Sequence, residues 1–402
     1  MNKGSITTPA GFRAAGVSCG IKGDDQLDLA LIACECPATV AGVFTTNRIK
    51  GHSLQMTLER VISRRKASAL LVNSGNANAC VGKQGTADAH EMAEITAKAL
   101  KIPAEDVLVG STGVIGIPLN MDKVRPGIKK VVKALDNTAE AARTANQAML
   151  TTDTTTKEIA VSFPISYDHA SIGGIAKGSG MIHPNMATMI SVITTDVRIT
   201  EDCLQHALSS VVYNTFNRIS VDGDTSCCDM VIVMASGLAD HPLISDLNSP
   251  EGQIFLENLR YVATGLSRMI AADGEGASKL LTVRVCGAAN EADAYLGALA
   301  VAKSPLVKTA IFGEDANWGR IINALGYSGA NFNPAQLDIS IGDLQVCHEG
   351  MGTNFSEKKA KEILKRREVL IQINFNQGYH EDHFWTCDFT DDYIKINANY
   401  RS

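Results

Sequence analysis

Apolar residues in this chain alternate between two spacings. Ala69-Leu-Leu-Val72, Val107-Leu-Val109, Met230-Val-Ile-Val-Met234 and Leu280-Leu-Thr-Val-Arg-Val285 are short, nearly continuous runs that read as buried strands. Between them the spacing changes to that of a helix, at Leu54, Leu58 and Ile62, at Ala89, Met92, Ala93, Ile95, Ala99 and Leu100, and at Leu204, Leu208, Val211 and Val212. Further helices are predicted near 121–134, 138–150, 251–270 and 289–303. Strand composition marks 27–32, 42–46, 158–165 and 171–176, and Pro37 is expected to separate the first two. Alternation at 369–375 and 393–397 predicts half-buried strands near the C-terminus.

These elements interleave as a mixed α/β protein, too irregularly for a simple doubly wound sheet. No Gly-x-Gly-x-x-Gly opens a helix after a strand, and Lys177-Gly-Ser-Gly180 lacks Walker spacing, so dinucleotide and P-loop readings fall away. No repeat, low-complexity tract or Gly/Ser-rich linker marks a domain boundary. At 402 residues the chain exceeds a single small module, and its net charge of -6 gives no electrostatic reason to bind nucleic acid or an anionic membrane. Small molecules or proteins are the expected partners. Residues 1–10 lack an apolar signal core and no apolar run reaches about 18 residues, so a cytoplasmic enzyme is expected. The ten cysteines form no Cys-x-x-Cys and have no histidine at zinc spacing, so they are expected to be reduced and largely core residues, with no metal site. Cys227-Cys228 is the only adjacent pair.

Chemistry concentrates in Lys177-Gly-Ser-Gly-Met-Ile-His-Pro-Asn-Met-Ala-Thr-Met-Ile-Ser191, a loop that delivers Thr188 to a β-branched run. A threonine hydroxyl becomes a useful nucleophile when the threonine is N-terminal and its own α-amine takes the proton. Thr188 is internal, so that role requires scission between Ala187 and Thr188. From spacing alone, Thr188 reads more simply as an ordinary residue at a strand start. Ser111-Thr112-Gly113 offers a hydroxyl and a backbone N–H for an oxyanion, or is a glycine turn. Lys177 suits a carboxylate, and Glu275 lies in a glycine-lined loop. His183 reads as a loop residue rather than a base.

Lys177-Gly-Ser-Gly-Met-Ile-x-Pro-Asn-Met-Ala-Thr-Met189 resembles the signature of the ornithine acetyltransferases of arginine biosynthesis, the ArgJ family, whose members include bifunctional glutamate N-acetyltransferases. Gly11-Phe-Arg-Ala-Ala-Gly16, Ala41-Gly-Val-Phe-Thr-Thr-Asn-Arg48, Asn73-Ser-Gly-Asn-Ala-Asn78, Ser111-Thr-Gly113, Thr151-Thr-Asp-Thr154, Thr215-Phe-Asn-Arg218, Val221-Asp-Gly-Asp-Thr225, Asp273-Gly-Glu-Gly276 and Ile396-Asn-Ala-Asn-Tyr-Arg-Ser402 follow in family order. The resemblance implies an αββα-type sandwich of the DmpA/ArgJ-like kind with an additional smaller α/β domain. It also implies self-cleavage into an α chain of 1–187 and a β chain of 188–402, assembled as α2β2. Thr188 would be the nucleophile and Thr112 and Gly113 the oxyanion hole, with Thr151, Lys177, Thr188, Glu275, Asn397 and Ser402 binding substrate. The implied reaction is ping-pong acetyl transfer from N2-acetyl-L-ornithine to L-glutamate without a cofactor, acetyl-CoA remaining open as a second donor. Three positions depart from the pattern: Ser402 replaces the usual threonine, His183 a small residue, and Cys227-Cys228 a more polar pair. Two other readings stay open, an amidohydrolase or aminopeptidase with the same nucleophile, and an amino-acid-binding protein that uses Lys177 and Glu275 without turnover.

Overall fold

The computed structural model describes residues 4–23, 25–183 and 189–399. The first unit runs β1 (Phe12–Val17), β2 (Leu29–Phe44), α1 (His52–Arg64), β3 (Lys66–Asn76), α2 (Gly82–Leu100), β4 (Val107–Val114), α3 (Met121–Lys133), α4 (Ala139–Met149), β5 (Lys157–Ile165), β6 (Asp168–Lys177), β7 (Ile190–Thr195), α5 (Glu201–Tyr213), β8 (Met230–Ala235) and α6 (Pro250–Ala272). Its eight strands are ordered β4-β3-β2-β8-β7-β6-β5, with β1 also on β2.

Strand β2 joins the two halves of this sheet. Residues 29–34 pair with β1 and β3, whereas Thr39–Phe44 pair with β8. The sequence reading placed two strands here, divided by Pro37. The chain instead forms one strand of 16 residues, and Pro37 sits inside the break in register between Ala33 and Ala38, where its missing N–H removes no ladder bond.

Alternation of side chains shows how the halves stack. Ala30 and Ile32 of β2, Leu70 and Val72 of β3, Ile190 and Val192 of β7, and Met230, Ile232 and Met234 of β8 all enter one shared core. Their neighbours point the other way. Leu29, Leu31, Ala69 and Leu71 pack against α2 and α3, whereas Ile193, Val231 and Val233 pack against α5 and α6. Two sheet faces therefore meet inside two helical layers, an αββα sandwich with α4 packed over β1 and β2.

The second unit has its own core and runs β9 (Leu280–Ala288), α7 (Glu291–Lys303), α8 (Pro305–Phe312), α9 (Trp318–Gly326), β10 (Asp338–Ile341), β11 (Leu344–His348), β12 (Met351–Gly352), α10 (Glu357–Leu364), β13 (Glu368–Asn374), β14 (His380–Cys387) and α11 (Asp391–Asn399). Its strands are ordered β12-β11-β10-β13-β9-β14. This is the smaller α/β layer implied by the family resemblance.

Two expectations need correction. Residues 393–397 form part of helix α11, not a strand: Asn397 Nδ2 donates to the Tyr393 carbonyl at 3.0 Å, Tyr393 stacks on Phe389, and Ile394 is exposed. In α1 the buried face is Ser53, Leu54, Met56, Thr57 and Val61, and Ile62 points to solvent. The apolar spacing found the helix but set its face one residue off.

Close packing constrains β1. A Cβ on Gly16 would lie 1.9 Å from the Thr144 carbonyl oxygen of α4, and the Gly16 N–H donates to Thr144 Oγ1 at 3.2 Å. Gly16→Ala must push α4 off the sheet and is expected to lower stability by about 2 kcal/mol, read as a fall in thermal midpoint with no change in denaturant m-value.

Candidate active site

The C-terminal end of β4 rests on a polar platform. Ser111 Oγ donates to Asn73 Oδ1 at 2.6 Å and lies 2.7 Å from Ser53 Oγ, while Asn78 Nδ2 reaches Ser53 Oγ at 3.2 Å and the Gly85 carbonyl at 2.8 Å. Thus Asn73-Ser-Gly-Asn-Ala-Asn78 sets the position of Thr112 and Gly113. Gly113 has φ +132°, and a Cβ there would lie 2.4 Å from the Gly75 carbonyl carbon, so only glycine fits.

Strand β6 ends at Lys177, which is buried, and the backbone beyond it is tied down residue by residue. Gly178 N–H donates to Asp153 at 2.6 Å, Ser179 Oγ donates to the Asp273 carbonyl at 2.7 Å, and Met181 and Ile182 N–H donate to the Asp222 carboxylate at 2.6 and 2.9 Å. Gly180 leaves the space that Glu275 fills, since a Cβ there would lie 2.2 Å from the carboxyl group. Glu275, also buried, is held by its own N–H on the Ser179 carbonyl at 3.1 Å and by Asn397 Nδ2 at 2.7 Å. Helix α11 brings Asn397 there, which a strand at 393–397 would not have explained.

Behind the cleft lies a buried ionic cluster. Lys157 Nζ contacts Asp153 at 2.7 Å and Asp273 at 2.5 Å. Burial pushes the Asp153 carboxyl upward, but Lys177 and Lys157 outweigh it and hold the group at about 2. Burial lowers the Lys22 ammonium to about 8, opposed by Asp28 and reinforced by the like charge of Lys177.

Together these elements enclose a cleft of about 80 Å³ lined by Thr112, Gly113, Thr151, Lys177, Glu275 and Asn397. The six described residues singled out from the sequence for binding or oxyanion stabilisation meet there. Ala187, Thr188 and Ser402 lie outside the described residues. His183 is not in the lining. It faces Ser220 Oγ at 3.3 Å, and burial, with Lys303 adding to it, depresses its imidazole to about 4, so it is neutral at pH 7.

Sequence reasoning missed the part played by several residues. Asp153 stood in a quoted motif, yet only its burial between two lysines shows its work. Cys227 and Cys228 are free and buried in a small core cluster with Ala77 and Ala79, as expected, and they also form part of the cleft wall, their sulfurs 3.5 Å apart. The contact draws the Cys227 thiol down to about 7 and pushes Cys228 up.

A larger hollow of about 620 Å³ lies at the β14 edge, lined by Arg218, Arg284, Glu381, Asp382 and His383 among others. Its arginines are already paired, Arg218 with Asp382 at 2.8 Å and Arg284 with Glu381 at 2.5 Å. Arg218 of the Thr215-Phe-Asn-Arg218 motif lines it, but none of the described residues assigned to binding or oxyanion stabilisation does.

The ArgJ family profile matches residues 13–402. The arginine biosynthesis bifunctional protein ArgJ 1 of Clostridium acetobutylicum is 48% identical over 406 residues, covering 100% of this chain and 98% of that protein. The arginine biosynthesis bifunctional protein ArgJ of Caldanaerobacter subterraneus is 47% identical over 403 residues, covering 99% of each. The crystal structure of the ArgJ protein of Bacillus halodurans shares 46% identity with a TM-score of 0.50, covering 52% of this chain and 97% of the solved one.

The depressed Asp153 group fixes a pH dependence. Its stabilisation is complete above its ordinary value of 3.8 and is lost as pH falls toward 2. Acid titration of unfolding should therefore show a component between these values that disappears in Asp153→Asn, a variant also expected to be less stable at pH 7.

This chain belongs to the ArgJ family.

Proposed function

We propose that this ArgJ-family chain is a self-processing N-acetyltransferase that moves the acetyl group of N2-acetyl-L-ornithine to L-glutamate through an acetyl ester on Thr188. The observation that carries the reading is the convergence of Thr112, Gly113, Thr151, Lys177, Glu275 and Asn397 on one small cleft. A buried ammonium and a buried carboxylate across that cleft suit a zwitterionic amino acid, one facing its carboxylate and the other an ammonium.

Scission before Thr188 frees an α-amine whose ordinary pKa is near 8. That amine takes the proton from the Thr188 hydroxyl as Oγ attacks the acetyl carbonyl. Negative charge develops on the acetyl oxygen, where the Thr112 hydroxyl and the Gly113 N–H stabilise it. Collapse of the intermediate expels ornithine, whose nitrogen receives the proton, and leaves the acetyl ester. Glutamate's α-amine then attacks that ester, and the same steps in reverse release N-acetyl-L-glutamate and the free threonine. Both half-reactions use one site and no redox or electron-sink chemistry, so the residues suffice without a cofactor.

Support for scission comes from lengths. Curated relatives match from end to end, whereas the solved Bacillus halodurans chain is matched over 97% of its own length and spans only 52% of this one. A polypeptide from Thr188 to Ser402 would be a similar fraction. Assembly as α2β2 and a cytoplasmic location complete the proposal, on the strength of the family resemblance.

Intact mass of the purified protein should show two polypeptides meeting at Ala187 and Thr188. Acetyl transfer to glutamate should proceed from acetylornithine with parallel-line ping-pong kinetics, and the same assay with acetyl-CoA tells whether that donor is also used. Thr188→Ala is expected to abolish processing and turnover, and full activity in that variant would sink the mechanism. Thr112→Ala should lower kcat on the order of 100-fold or more, with KM little changed. Gly180→Ala should instead raise KM for both amino acids by displacing Glu275, with the oxyanion donors left in place.

A further inference from the structure

Two thiols stand in the wall of the cleft and have no part in the acetyl transfer proposed above. Cys227 and Cys228 both line it, beside Ala77, Thr112 and Gly113, and their sulfurs are 3.5 Å apart. Neighbouring segments hold them there. Gly51 N–H donates to the Cys227 carbonyl and Thr45 N–H to the Asp229 carbonyl, both at 3.0 Å, while Thr45 Oγ1 donates to the Ser226 carbonyl at 2.9 Å. Cys228 N–H donates to Ser226 Oγ at 3.2 Å, and the Cys228 sulfur lies 3.6 Å from the Ala77 carbonyl. Backbone anchors on both sides of the pair thus keep the two sulfurs together.

The two thiols differ in acidity. Hydrogen bonding from Cys228 draws the Cys227 thiol down against its burial, with its own backbone N–H and the Ser226 side chain adding to the pull. The same contact and full burial push Cys228 up, as do the charges of Cys227 and Asp229, with Lys177 pulling the other way. Cys227 therefore carries thiolate at neutral pH while Cys228 keeps its proton. A nucleophilic thiol beside a second thiol that can resolve it is the arrangement on which reversible oxidation depends. Cys34 and Cys36 supply a contrast. Their sulfurs are 3.8 Å apart, but burial pushes the Cys34 thiol up to about 12, and neither residue lines the cleft.

We propose that Cys227 and Cys228 form an oxidative modification site for hydrogen peroxide in the cleft wall, Cys227 taking one oxygen and Cys228 resolving it as a vicinal disulfide that stops acetyl transfer. A cleft of about 80 Å³ admits a molecule of two oxygen atoms, since about 10–15 Å³ of such space holds one water. The Cys227 sulfur attacks one peroxide oxygen, the S–O bond forms as the O–O bond breaks, and the departing hydroxide takes the thiol proton as water. The Cys228 sulfur then attacks the sulfenic sulfur, forming the S–S bond and releasing a second water. Two thiols are oxidised by two electrons in all, and one peroxide is reduced to two waters. Adjacent Cα atoms lie about 3.8 Å apart, short of the usual span of about 4.4–6.8 Å for bridged cysteines, so the bond is readily reduced again. Loss of activity follows because the bond shifts the wall beside Thr112 and Gly113. That last step rests on the reading of the cleft as the acetyl-transfer site, whereas the oxidation does not.

Purified protein treated with hydrogen peroxide should yield a peptide in which residues 227 and 228 have together lost two hydrogens, with Cys34 and Cys36 still open to alkylation. Acetyl transfer should fall in step with that loss, on the order of 100-fold at completion, and dithiothreitol should restore it. Cys227→Ser, measured against its own untreated rate, should keep its activity under peroxide. Cys228→Ser retains the attacking thiol without the resolving one, so its Cys227 should advance to the sulfinic acid and its activity should no longer return with dithiothreitol. The peptide map of the wild type needs no variant. A pair that stays reduced under peroxide, a bridged pair with undiminished transfer, or a Cys227→Ser protein inactivated as fast as wild type overturns the proposal. A protein without acetyl transfer before treatment overturns the functional reading instead, and the peptide map still decides the oxidation.

Discussion

The structure around the cleft depends on the buried ammonium of Lys157 and the two carboxylates it holds. Asp153 lies on the loop after α4 and Asp273 at the end of α6, and Lys157 opens β5 between them. Each carboxylate does a second task at close range. Asp153 accepts the N–H groups of Thr151 and Gly178, which fixes one wall of the cleft and the turn that follows Lys177. Asp273 accepts from Thr154 and stands two residues before Glu275. Removing the lysine would leave two buried negative charges facing each other, a far larger loss than the worth of either pair alone. The cluster therefore fixes the turn beyond Lys177 and the approach to Glu275, both of which line the cleft, and its net charge explains why a second buried lysine beside Asp153 is tolerated.

Much of the fold could be read from periodicity because its strands are either fully buried or strictly alternating. Met230 to Ala235 is apolar throughout since each face meets a core, which is how an αββα sandwich differs from a sheet with one wet face. The errors fall where tertiary context overrides local signals. Pro37 normally ends a strand, but β2 absorbs it at a bulge as the sheet passes from one layer to the other. The alternation at 393–397 fits a strand equally well, and what decides for a helix is distant: Asn397 bonds both Tyr393 one turn back and Glu275 over a hundred residues away.

For the site, the sequence identified residue types and their order, while their roles came from resemblance to a family. Thr112 and Gly113 looked like a turn until Gly75 and Gly113 were found face to face in paired strands, each with positive φ. The functional reach of Asp153 was not legible, because a carboxylate's burial and neighbours cannot be computed from spacing. The Cys227-Cys228 pair was visible as a pair, but nothing local places it in the wall of a cleft.

The position of the proposed cut within the sheet also bears on whether two chains could remain one protein. Strands β6 and β7, which flank residues 178–189, lie side by side and pair from Ile172–Thr195 to Lys177–Ile190. On the far side of β7 is β8, and β8 pairs in turn with β2, near the beginning of the chain. An N-terminal fragment would thus keep β6 on one side of the pair β7-β8 and β2 on the other. The shared core likewise draws Ile175 and Ile32 from before the cut and Val192 and Ile232 from after it. Separating the pieces would expose this core and two full ladders of backbone hydrogen bonds, so breaking one peptide bond frees a terminus without freeing a fragment. The architecture thereby permits a chain cut between β6 and β7 to hold together as one folded protein.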